Sequence, residues 1–86
     1  MKYYKSYTES HDGEEGFYYC EVKNGLITRQ INAFNNVLYW ATPSDEYDEE
    51  YFFTDQPEFS LSKNDLEISS DEFLDLWKVA TTQKPD

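Results

Sequence analysis

Val22-Lys23-Asn24-Gly25-Leu26 is the stretch that decides how this chain folds. Asn-Gly between β-prone runs is the preferred two-residue loop of a type I′ hairpin, because both residues accept positive φ. With Asn24-Gly25 at the tip, an unbroken ladder sets Val22 opposite Ile27, Cys20 opposite Arg29 and Tyr18 opposite Ile31. Phe34-Asn35-Asn36-Val37 repeats the signal and sets Ala33 opposite Leu38 and Ile31 opposite Trp40. Side chains alternate between the faces of a strand, so the two registers can be chained. One face then holds Tyr18, Cys20, Val22, Ile27, Arg29, Ile31, Ala33, Leu38 and Trp40, apolar but for Arg29. The other, from Phe17, Tyr19 and Glu21 through Gln30 to Tyr39, is mixed. The expectation is a three-stranded antiparallel meander whose first face is the core, with a marginal carboxylate neutralising Arg29.

Working outward, Tyr3 to Thr8 alternates aromatic and polar residues and reads as a further strand beside Phe17–Val22. His11-Asp12-Gly13-Glu14-Glu15-Gly16 is a loop by composition. Towards the other end, Ser69 with Glu72 three residues on makes a capping box, and Ile68 can staple to Phe73. Asp71 and Glu72 in the first turn and Lys78 near the last suit the helix dipole. Phe73, Leu76, Trp77 and Ala80 form an apolar stripe at helical spacing, suited to covering the sheet. The fold class is therefore α+β: a three-stranded meander plus an N-terminal strand, packed by one short C-terminal helix. Residues 1–80 read as a single domain and 81–86 as a frayed tail.

The segment between sheet and helix, Ala41–Ser62, reads differently. Pro43, Pro57 and the acidic run Asp45–Glu50 speak for a long loop, with Tyr51-Phe52-Phe53 a candidate short strand. Structureless stretches of this length in a small domain are often functional. No Lys or Arg occurs between Arg29 and Lys63, while Asp45, Glu46, Asp48, Glu49, Glu50, Asp55 and Glu58 crowd the second half of that gap. Tyr47, Tyr51, Phe52, Phe53 and Phe59 are interleaved with them. Carboxylates attract a basic surface over distance, and tyrosines supply rigid contact area. Asp45, Glu46, Tyr47, Asp48, Glu49, Glu50, Tyr51, Asp55 and Glu58 are accordingly the candidate partner-binding residues. The competing arrangement is a solvated loop with its aromatics turned into the core.

Composition bounds the partners. The chain has 86 residues and a formal net charge of −11, from 18 acidic and 7 basic residues. Direct binding to nucleic acid or to an anionic membrane is disfavoured, since phosphates need Lys and Arg. A basic protein is the natural complement. The N-terminus lacks the apolar run of a signal peptide and no stretch is long enough to span a bilayer, which makes a cytoplasmic location the expectation. Catalytic motifs are wanting. Cys20 falls mid-strand on the expected core face, where a free cysteine is ordinarily packing, so a Cys20–His11 nucleophile pair is not expected. One Cys and one His make no zinc site, and the acidic run lacks the alternating ligands and central Gly of a calcium loop. No cofactor is expected.

The chain also resembles a family of small uncharacterised bacterial domains. The resemblance rests on an aromatic first strand, His11-Asp12, Tyr19 and Glu21, Arg29-Gln30-Ile31-Asn32-Ala33-Phe34, and Glu67-Ile68-Ser69-Ser70-Asp71-Glu72-Phe73 with Trp77. The acidic middle departs from that pattern. What the resemblance implies is a stand-alone accessory protein of the immunity or inhibitor kind. Together with the charge, this gives a non-enzymatic binding protein for a basic partner such as a toxin or a nucleic-acid enzyme. The alternative is a small structural domain, monomer or homodimer, whose charge serves solubility.

Overall fold

The computed structural model of the chain describes residues 1–10, 12–47 and 51–83. Five strands and one helix follow in order: β1 (Lys2–Glu9), β2 (Glu15–Lys23), β3 (Leu26–Phe34), β4 (Val37–Ala41), β5 (Leu66–Ile68) and α1 (Ser70–Thr82). All pairings are antiparallel, in the spatial order β4-β3-β2-β1-β5. The protein is thus an α+β fold of the expected class, with four expected strands and a fifth. β5 lies in the stretch leading to the helix and pairs with β1 through Tyr3↔Ile68, Tyr4↔Glu67 and Lys5↔Leu66. A three-residue strand carries too few residues to show a period, and its partner is more than sixty residues away in the chain.

Both hairpin tips are as read. Asn24 and Gly25 have φ of 54° and 78°, and Asn35 and Asn36 have 50° and 65°, the signs a type I′ turn needs. The second register holds, with Ile31↔Trp40 and Ala33↔Leu38. The first holds only to Val22↔Ile27. Beyond it Glu21 pairs with Arg29, Tyr19 with Ile31 and Phe17 with Ala33. Thr28 is one residue extra on β3, a β-bulge, and every position of β2 past it changes face relative to an unbroken ladder. The expected core face is corrected accordingly. Tyr19 packs with Ile31, Tyr3 and Phe73, with Ala33, Leu38, Trp40, Ile68, Leu76 and Trp77 around them. Cys20 and Val22 join Tyr4 on the opposite face, with Tyr18, Ile27 and Phe59.

Both faces of the sheet are covered, one by α1 and the other by the segment that follows β4. With apolar residues wanted on both faces, the alternation of β2 does not distinguish its two registers. The bulge also places Arg29 beside Glu21. Arg29 Nε donates to Glu21 Oε1 at 2.9 Å and a terminal nitrogen donates to Oε2. The Thr28 hydroxyl donates to the same carboxylate at 2.7 Å. The guanidinium lies 4.9 Å from the Trp77 ring centroid and 5.5 Å from that of Phe73. Arg29 is therefore no misfit at the margin but the partner of a buried carboxylate.

The helix begins as its cap predicts: Ser69 Oγ accepts from Glu72 N at 3.1 Å. It ends later than expected. Thr81 and Thr82 are helical, and Gln83, the C-cap, makes two hydrogen bonds to the Leu38 backbone, accepting from its N–H and donating to its carbonyl. Residues 81–83 thus belong to the fold rather than to a tail, and 84–86 lie outside the described residues. Lys78 falls just short of the last turn, which has no basic residue. Gly16 is a close-approach glycine, since a Cβ there would overlap Ala33 O and the Phe34 ring. Among the described residues no helix is long and apolar enough to cross a membrane.

Candidate functional site

The acidic segment leaves β4 through a turn held by Thr42, whose backbone N–H donates to Asp45 O at 2.7 Å and whose hydroxyl accepts from Asp45 N at 3.0 Å. It then doubles back: Glu46 bridges Ala41 and Tyr47 N donates to Trp40 O at 2.9 Å. Asp48, Glu49 and Glu50 lie outside the described residues. From Tyr51 onward the chain crosses the second face of the sheet. Tyr51 stacks on Tyr39 with centroids 4.0 Å apart and approaches Phe34 at 5.6 Å, while Tyr47 meets Tyr39 edge-on at 5.9 Å.

Gln30 anchors this crossing. Its side chain is buried, and its amide donates to Phe52 O at 3.0 Å and accepts from Thr54 N at 3.1 Å. One primary amide therefore serves an acceptor and a donor of the crossing backbone, as a neighbouring strand would. Tyr51-Phe52-Phe53, expected as a candidate strand, is held by this side chain instead. Farther on, Ile27 N donates to Pro57 O at 2.8 Å and Phe59 N to Gly25 O at 2.9 Å. Phe59 closes the crossing by stacking on Tyr4, centroids 4.6 Å apart.

The candidate residues consequently divide. Tyr47 and Tyr51 pack on Tyr39, and Phe59 completes the second core. Asp45, Glu46, Asp55 and Glu58 are exposed, although Glu46 spends one carboxylate oxygen on Phe53 N at 2.9 Å. Phe52 is 60% exposed among them. The described part of the segment is thus an aromatic cover with carboxylates on its outer surface.

Set against protein-family models, curated proteins and solved structures, the chain matches none. Its chemistry is read from geometry alone. Cys20 is 1% exposed, and burial with a lesser effect of Asp65 pushes its thiol up to about 12, the reverse of an activated nucleophile. His11 lies outside the described residues. Among the described residues no three His, Cys, Asp or Glu side chains converge as a metal site would require.

A second feature escaped the sequence. On the helix-covered face, Tyr7, Phe17, Ala33 and Leu38 form one cross-strand row, of which Ala33 and Leu38 are half-buried beside α1 while Tyr7 and Phe17 stay exposed. With Val79 and Gln83 it lines an open cleft of about 560 Å³. Tyr7, Phe17 and Val79 are 50%, 42% and 56% exposed. At the mouth, Glu9 and Glu15 are direct cross-strand partners. The Tyr7 hydroxyl is 3.0 Å from Glu9 Oε1 and 3.2 Å from Glu15 Oε1. Burial, and after it these two carboxylates, push that hydroxyl up to about 12, so it keeps the proton it donates. By composition Glu15 falls inside the first loop, and only the register Glu9↔Glu15 of the hairpin brings the two carboxylates together.

Proposed function

We propose that this protein binds a basic protein partner through its acidic surface. The observation that carries the reading is an uncompensated charge. Of seven basic residues, Arg29 is consumed by buried Glu21, Lys2 pairs with Glu67 at 3.7 Å, and Lys5 lies over the Phe17 ring at 4.5 Å. Arg29–Glu21 and Lys2–Glu67 are the two ion pairs among the described residues, so the exposed carboxylates far outnumber the cations able to answer them. A surface of this kind repels nucleic acid and accelerates encounter with a positively charged protein. Inhibition of a toxin or nucleic-acid enzyme is the concrete form, with carboxylates standing where phosphates would bind. The resemblance to small bacterial accessory domains points the same way.

The test is affinity capture from the source cell, followed by titration of the purified partner at low and high salt. A partner of high isoelectric point whose affinity falls steeply with salt, and falls again in Asp55→Lys/Glu58→Lys, supports the reading. Recovery of no basic partner, or a salt-independent interaction, refutes it.

A further inference from the structure

We infer that the Tyr7–Phe17 cleft is the docking point for a basic protein segment, which inserts one aliphatic side chain between Phe17 and Val79 and sets a Lys or Arg across Glu9 and Glu15. This deepens the function proposed above and rests on it. Three observations select the occupant. The walls are mainly apolar: Phe17, Ala33, Leu38 and Val79, with the neutral Asn35, Asn36 and Gln83 beside them, leave a concave surface suited to an aliphatic side chain. The mouth is anionic: Glu9 and Glu15 face each other across the ladder on the cleft's own side of the sheet. Like charges directly opposite destabilise a strand pair. The Tyr7 hydroxyl can donate its single proton to one carboxylate at a time, so the second is left without that bond. A guanidinium or ammonium at this point answers both.

The third observation is what stands nearby. Lys5, the cation of the same strand face, is directed onto the Phe17 and Tyr19 rings, at 4.5 and 5.8 Å, and makes no ion pair with Glu9 or Glu15. Glu14 adds a further carboxylate on the loop side, accepting from Asn35 Nδ2 at 2.8 Å. An acidic or purely apolar occupant would leave the facing carboxylates unanswered. A second copy of this chain, at net charge −11, would add to the repulsion.

The probe is the capped tripeptide Lys-Leu-Lys, titrated to millimolar concentration into the 15N-labelled full chain and followed by amide chemical shifts, with capped Lys-Ser-Lys alongside. Expected are shifts centred on Phe17, Ala33, Val79, Glu9 and Glu15, with the serine peptide about tenfold weaker because it buries no aliphatic side chain. Val79→Lys and Glu9→Gln/Glu15→Gln should each abolish the response. Both alter exposed positions, and unchanged spectra of the free variants establish that they fold. Equal binding of the two peptides, or shifts centred on Asp45, Asp55 and Glu58, overturns the cleft while leaving the wider reading intact. Shifts at the cleft that follow the protein's own concentration without peptide assign it to a second copy and overturn the inference. No response to either peptide anywhere on the protein overturns both.

Discussion

Replacing Glu21 with Leu removes a carboxylate that is 4% exposed and that accepts from Arg29 and Thr28. Breaking a buried pair by taking away one partner costs about 3–5 kcal/mol, chiefly for the charge left behind. Here that charge is Arg29, whose side chain keeps 25% exposure and can partly rehydrate. It also keeps the faces of Trp77 and Phe73. The expected cost therefore falls at the lower end, about 3 kcal/mol, against a total stability of roughly 4–13 kcal/mol for a chain of this length. Arg29→Met should cost a similar amount, as it strands the carboxylate. The double variant Glu21→Leu/Arg29→Met leaves neither charge unpaired, so the two losses should fall short of additivity by about 2 kcal/mol. Urea unfolding followed by tryptophan fluorescence reads this directly, because Trp77 lies under the guanidinium and meets Trp40 edge-on at 5.6 Å. The pair also sets a pH dependence. Arg29, with Thr28 and Tyr3 assisting against the cost of burial, holds the Glu21 carboxyl below its ordinary value. The stabilisation is thus full above the unfolded carboxyl value near 4.3 and is lost as pH falls through the lower folded one. Glu21→Leu should lack that acid-range component. Additivity of the two substitutions within about 0.5 kcal/mol would mean the residues do not meet, and the bulge that places them together would be refuted.

Three further outcomes are expected. Gln30→Leu should cost about 2 kcal/mol, because Phe52 O and Thr54 N both lose their buried partner. Faster hydrogen exchange at the Thr54 amide would localise the loss. Gly16→Ala should destabilise by more than about 2 kcal/mol, since its Cβ overlaps the Ala33 carbonyl and the Phe34 ring; thermal unfolding measures it, and a neutral result would contradict the β2–β3 spacing. Ser69→Ala should cost about 1 kcal/mol in the same assay, with Asp at that position restoring most of it.

The turns, the strands they join and the helix start are local matters, and residues close in sequence determined them. Asn24-Gly25 and Asn35-Asn36 accept the left-handed backbone of their turns, and Ser69 caps α1 because its hydroxyl reaches an amide three residues on. The acidic surplus and its cation-free stretch are likewise properties of the chain. Tertiary structure decided the rest. The bulge at Thr28 was not legible because the sheet is covered on both sides, so Tyr19 and Cys20 each find a core and alternation cannot choose between them. The same bulge turns Arg29 towards Glu21. Gln30 holds backbone more than twenty residues away, and no local pattern announces such a contact. The Tyr7–Phe17 cleft combines residues of β1, β2, β3 and β4 with Val79 and Gln83 at the end of α1, positions that only the fold brings together. Short-range chemistry thus placed the elements, and contacts between residues far apart in the chain decided register, partners and cleft.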